Sequence, residues 1–234
     1  MGYEPTVLPL VTLSRRSALF ARLPLLLVCV WLISGLNAQT QIEVIARLPH
    51  TTRAEIVARA EKLAKHAWVC GTPNLHASCS QKYLSDWKSG QRVTGIPYCW
   101  GGIDGPEAFD RKLADGLAAG AHSRFGVLKC AAGIDCSGFV TLSWGLSNSG
   151  HAYTTSSLRE IAGKLKSNVF EDLKPGDVLN KPGSHVVLFT GYNPDGTIAV
   201  CEASSSQARV VCRKSTWSRF NGYIALQYKG IDDD

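Results

Sequence analysis

Gly133-Ile134-Asp135-Cys136-Ser137-Gly138-Phe139-Val140 is the segment whose residue types and order most directly suggest chemistry. Asp135 is a good helix N-cap, so Cys136 falls in the first turn, at the positive end of the helix dipole. That placement favours thiolate over thiol, and the thiolate is the nucleophilic form. Ser137 and Gly138 are poor helix-interior residues, and their small size keeps the sulfur approachable. A buried structural cysteine, or one half of a disulfide, fits the same position.

A nucleophile of this kind needs a base. His185 opens the run Ser184-His185-Val186-Val187-Leu188-Phe189, and Glu202 lies in Ala199-Val200-Cys201-Glu202-Ala203, which a hairpin brings alongside. A carboxylate next to His185 would orient the imidazole and stabilise its charged form. Taken singly, His185 also reads as a hydrogen-bonded core residue and Glu202 as an exposed strand residue. Together with Cys136 they make a nucleophile, base and orienter. No Cys-x-x-Cys or His-Glu-x-x-His spacing is present, and Gly101-Gly102 lacks the lysine and helix of a phosphate loop. Neither metal nor cofactor is expected.

The elements that must hold these residues follow from periodicity. Thr52 and Glu55 form a capping box ahead of Ile56, Ala60, Leu63 and Ala67, so 53–68 reads as an amphipathic helix. Short helices are expected over 107–120, from Cys136 to about Leu146, and from a Ser157/Glu160 cap to about Lys166; 70–95 reads as irregular. Strands are expected at 177–180, 184–192, 197–203, 208–213 and 223–228, with Asn193-Pro194-Asp195-Gly196 as a hairpin turn. Helices followed by an antiparallel sheet of about five strands make an α+β domain.

With 234 residues, 45% of them hydrophobic and 19% charged, the chain suits one globular domain and excludes intrinsic disorder. Net charge is +6, and only +4 without residues 1–38, which hold Arg15, Arg16 and Arg22 against Glu4. The excess is mild and builds no basic stripe, so no nucleic-acid partner is expected. Those arginines precede the apolar Leu23–Leu36 stretch, which exits at Leu36-Asn37-Ala38: a signal peptide, with an uncleaved anchor as the alternative. Ser14-Arg15-Arg16 hints at twin-arginine export. Residues 39–52 read as an extended lead-in and 53–230 as the functional domain. The mature chain is expected to be a monomer without stable membrane insertion, outside the cytoplasm.

Four motifs, Gly95-Ile96-Pro97-Tyr98-Cys99-Trp100-Gly101-Gly102, Asp135-Cys136-Ser137-Gly138-Phe139, Leu173-Lys174-Pro175-Gly176-Asp177 and Ser184-His185-Val186, resemble in order those of the NlpC family of bacterial cell-wall cysteine peptidases. The resemblance spans roughly 53–228. It implies a papain-like fold, secreted or periplasmic location, and hydrolysis of amide bonds in peptidoglycan stem peptides, typically next to D-glutamate. Cys136 matches the nucleophile and His185 the base; Glu202 occupies the third polar position, often histidine in that family. Tyr98 matches a tyrosine that lines the site and helps the oxyanion hole beside the Cys136 amide, with Asp135 and Ser137 grouped on the same substrate side. Two departures stand out: 103–134 is an insertion where the family has a short loop, and Tyr153-Thr154-Thr155-Ser156 lacks the family's arginine. A non-catalytic wall- or peptide-binding module, and an amidase or acyltransferase on another substrate, are the competing readings.

Without the leader, Cys29 is lost and seven cysteines remain. Spacing suggests Cys70–Cys79, Cys201–Cys212 and Cys99–Cys130 as bridges, which leaves Cys136 free. The last would close the insertion, contributing about 3–4 kcal/mol by restricting the unfolded chain.

Overall fold

One helix buried along nearly its whole length and one strand buried on both faces position the site. The computed structural model describes residues 48–76, 84–122, 126–146, 153–165 and 172–232, all within one compact unit, Val44–Asp234. The leader, most of the lead-in, Cys29 and Cys79 lie outside the described residues. In chain order the elements begin with α1 (Arg53–Lys65), β1 (Ala67–Val69), α2 (Pro73–His76), β2 (Arg92–Thr94), α3 (Pro106–Ala114), β3 (Ala118–Ala119), β4 (Ala131–Ala132) and α4 (Cys136–Ser143). Then come β5 (Ala162–Lys164), β6 (Val178–Lys181), β7 (His185–Tyr192), β8 (Ile198–Ser204), β9 (Arg209–Ser215) and β10 (Ile224–Tyr228).

The capping box starts α1 as expected: the Thr52 side chain accepts from the Glu55 N–H, and Glu55 answers on the Thr52 N–H. Ile56, Ala60 and Leu63 form its buried stripe, which packs on α4. Seven residues of α4 are buried. Its interior hydroxyls are satisfied within the helix, Thr141 donating to the Ser137 carbonyl and Ser143 to that of Phe139, each at 2.8 Å. Among the described residues no helix is long and apolar enough to cross a membrane.

The main sheet is antiparallel, with six strands in the order β5-β10-β6-β7-β8-β9. On β7, Val186 and Leu188 join the α1/α4 core, while Val187 and Phe189 join a second cluster with Leu179, Val200 and Phe220. The architecture is mixed α/β, and the sheet has one strand more than expected. The extra strand is β5, which pairs with β10 where a helix to Lys166 was anticipated. Ser157 makes no cap bond there; Leu158–Glu160 forms one 3₁₀ turn before the chain joins the sheet edge. The helix expected over 53–68 stops at Lys65; Ala67 and Trp68 belong instead to β1, which pairs with β2 (Arg92–Thr94) from the stretch read as irregular, 70–95.

Two of the three expected bridges are corrected. Cys201 and Cys212 are disulfide-bonded across directly paired positions of β8 and β9. Cys70 is instead free, its side chain in the core beside Trp68, so it does not pair with Cys79. Cys99 is also free and packs with Ala118, Ala121 and Ala131. Cys130 is disulfide-bonded while Cys99 is free, which rules out Cys99–Cys130. Sequence proximity suggested Cys70–Cys79, and Cys99–Cys130 was the pair left over at the ends of the insertion, but core packing directs the Cys70 and Cys99 thiols elsewhere.

Candidate active site

The site is assembled where the Gly95–Gly102 segment, the start of α4 and the ends of β7 and β8 converge. Asp135 organises the first two. One carboxylate oxygen caps α4, accepting from the Gly138 N–H at 2.7 Å and from the Ser137 hydroxyl at 3.0 Å. The other accepts from the Gly101 N–H at 3.0 Å, tying the glycine segment to the helix start. Gly133 (φ +144°) lets the chains cross: a Cβ there would lie 2.3 Å from the Pro97 carbonyl oxygen. Asp135 and Ser137 therefore spend their polar groups on the scaffold and on each other, so their part is to position Cys136. Burial raises the Asp135 carboxyl above the ordinary carboxylate range, against the lowering effect of these hydrogen bonds.

Cys136 occupies the first helical position, as expected, with only 7% exposure. Its protonation differs from expectation. Burial, and secondly the nearby Asp135 charge, push the thiol from 9.0 up to about 12. The backbone N–H groups of Val186, Ser137 and Cys136 itself favour the thiolate, but burial outweighs them. The helix-end effect is present and loses.

His185 and Glu202 meet directly: imidazole Nε2 lies 2.7 Å from Glu202 Oε2. Glu202 is fully buried, and its remaining partners are cationic. Arg213 grips Oε1 through Nε at 3.0 Å and Nη2 at 2.8 Å, and Arg219 Nη2 reaches Oε2 at 2.7 Å. Burial alone would raise the Glu202 carboxyl; the bonds and charges of His185 and Arg219 overcome it and hold the group well below the usual carboxylate range. With Nε2 engaged, Nδ1 is the His185 nitrogen left for chemistry. Among the described residues no hydrogen bond joins the Cys136 thiol to this ring; the sulfur instead meets the Val186 N–H, one residue along the same strand.

In front of His185 lies a cavity of about 610 Å³, walled by Tyr98, Trp100 and His122 and by Ser184, Ser205 and Ser206. Tyr98 is pinned by its backbone, donating to the Ala208 carbonyl at 2.8 Å and accepting from the Ala121 N–H at 3.0 Å. His122 belongs to the insertion. Its ring stacks on Tyr98 (5.4 Å between centroids, 19° between planes), and Nε2 lies 3.2 Å from the Ser85 hydroxyl. Burial lowers its basicity. The insertion is also anchored at its neck: buried Asp104 accepts from Lys112 Nζ at 2.6 Å and from the Gly133 N–H at 2.9 Å.

Sequence reasoning missed His122, Arg213 and Arg219. The arginines sit among exposed polar residues late in the chain, and His122 lies within a stretch that matched no motif. The alternation of β8 and β9 offered one usable signal, since it places Arg213 directly opposite Val200, on the face that carries Glu202.

No family model matches the chain, and no curated protein matches it. Among solved structures, the P60 domain of an antigen from M. avium subspecies paratuberculosis is similar at a TM-score of 0.33 and 14% identity, covering 74% of this chain and 91% of that one.

Proposed function

We propose that the chain is an exported cysteine hydrolase with a papain-like NlpC fold, cleaving amide bonds in peptidoglycan stem peptides outside the cytoplasm. In this reading residues 1–38 are its signal peptide, 39–52 a lead-in and 53–230 the peptidase domain. The observation that carries the proposal is the buried Glu202 held 2.7 Å from His185 Nε2, which leaves Nδ1 for proton transfer, with the Cys136 sulfur at the capped start of α4 against the N–H of Val186, the next residue on the same strand.

Because burial keeps Cys136 protonated, the reaction begins with transfer of its proton to His185 Nδ1 as substrate fills the cavity. The sulfur then attacks the amide carbon, and the oxyanion is met by the Cys136 backbone N–H on the Tyr98 side of the site. His185 gives the proton to the departing nitrogen, the C–N bond breaks, and a thioester remains. Water, deprotonated by the same ring, attacks that thioester; the carboxylic acid leaves and the thiol is regenerated.

The test is to incubate mature protein with purified sacculi and identify products by mass spectrometry, alongside Cys136→Ala and His185→Ala. New amino termini within stem peptides, lost in both variants, are expected. Release of intact stem peptides from the glycan would assign an amidase instead, and undiminished hydrolysis by either variant would refute the mechanism.

A further inference from the structure

Glu202 is a single buried carboxylate shared by three nitrogen-bearing side chains, and the sharing is uneven. His185 and Arg219 divide Oε2, each at 2.7 Å, while Arg213 takes Oε1 with two nitrogens. A carboxylate that only oriented an imidazole would need no guanidinium. Two of them fix both oxygens in place, and their positive charge opposes protonation of the ring on the same carboxylate.

We propose that Arg213 and Arg219 are positioning residues that clamp Glu202 against His185 and take up part of its charge. This rests on the proposed hydrolase reading, in which Cys136 starts as a thiol and requires a base with an empty Nδ1. The clamp is built across elements: Glu202 on β8, Arg213 on β9, and Arg219 in the 3₁₀ turn Trp217–Phe220, where its guanidinium also lies 5.2 Å from the Phe220 ring. Other groups surround His185. Lys181 is its cross-strand neighbour on β6, and α4, capped by Asp135, packs against β7 with the Cys136 sulfur on the Val186 N–H. Tyr98 and His122 line the same cavity, and Tyr223 follows Arg219 in the chain. None of these hydrogen-bonds Glu202, so the two arginines are the cations that control it.

The experiment is a ring ¹H–¹⁵N NMR titration of His185 in full-length Cys136→Ala protein, its signal assigned by loss in His185→Gln. Removing one guanidinium leaves more of the Glu202 charge to the imidazole. The titration midpoint should therefore rise by about one pH unit in Arg219→Gln, the arginine on the shared oxygen, and by less in Arg213→Gln. Arg219→Lys should return it toward the parent, which a merely structural role would not predict. The acid limb of kcat/KM on sacculi should move in the same direction in the chain with Cys136 intact. If Arg219→Gln fails to fold, Arg213→Gln carries the test. A midpoint that rises in neither variant overturns the proposal. Absence of hydrolysis by the parent would overturn the hydrolase reading instead, and the NMR midpoints would still decide the role of the arginines.

Discussion

The protonation of Cys136 is the property on which sequence and structure disagree most, and it is directly measurable. A shift from 9.0 to about 12 cuts the thiolate fraction at a given mildly alkaline pH roughly a thousandfold. Alkylation follows the thiolate, so iodoacetamide should modify Cys136 about a thousand times more slowly in native protein than in protein unfolded by guanidinium. Labelling without reductant between about pH 7 and pH 10, quantified by peptide mass spectrometry, gives the rate at each free cysteine. The native Cys136 rate should climb about tenfold per pH unit across that range without levelling off. Slow access alone would lower the rate without moving any plateau, so the profile separates burial of the atom from suppression of its charge. Asp135→Asn keeps a competent cap but removes the second cause of the shift, and should raise the native rate about tenfold. A plateau below about pH 8, or equal native and unfolded rates, would refute the reasoning and restore the helix-end thiolate.

Other consequences are open to measurement. Glu202→Ala strands two arginines around a buried site and should cost about 3 kcal/mol in urea denaturation; because the Glu202 carboxyl is held below its ordinary range, the stability it provides is present above the ordinary carboxyl value and is lost as pH falls through the folded one, so Glu202→Gln should flatten that acid limb. Asp135→Ala should cost about 1 kcal/mol for the cap and about 1–3 kcal/mol for the orphaned Gly101 N–H, by the same assay. Replacing Cys201 and Cys212 together by alanine should lower stability by about 3 kcal/mol, the closure entropy of so short a loop. His122→Ala should alter relative rates among stem-peptide substrates while leaving the Cys136 alkylation profile unchanged, because it removes a cavity wall and leaves the α4 cap intact.

What was legible beforehand was whatever a few neighbouring residues decide. The Thr52/Glu55 box, the Asp135 cap and the Asn193–Gly196 turn are local, and each element stands where its signal indicated. Ser157 and Glu160 carried the same kind of signal and misled, because 162–164 pair with Leu226–Tyr228 at the sheet edge instead of continuing the helical turn. The Cys136, His185 and Glu202 set could be read from residue type, and the structure brings the last two into contact. The arginines holding Glu202 could not: they lie 11 and 17 residues away, and in one dimension resemble a solvated edge. The Cys201–Cys212 bridge was legible from consecutive strands, whereas the other pairings were not, since the directions of the Cys70 and Cys99 side chains depend on the core around them.

The anchoring of the insertion by Asp104 links two parts of the site. One carboxylate binds Lys112 on α3 and the Gly133 N–H just ahead of the helix that bears Cys136, so the segment leaves and rejoins the domain at a fixed neck. Between those two points the segment carries α3, β3 and β4, and its Ala121 N–H donates to the Tyr98 carbonyl at the cavity wall. His122 reaches the cavity from that segment. The neck thus couples the start of the helix that bears Cys136 to the segment that supplies a wall of the cavity, and a change at Asp104 is felt at both.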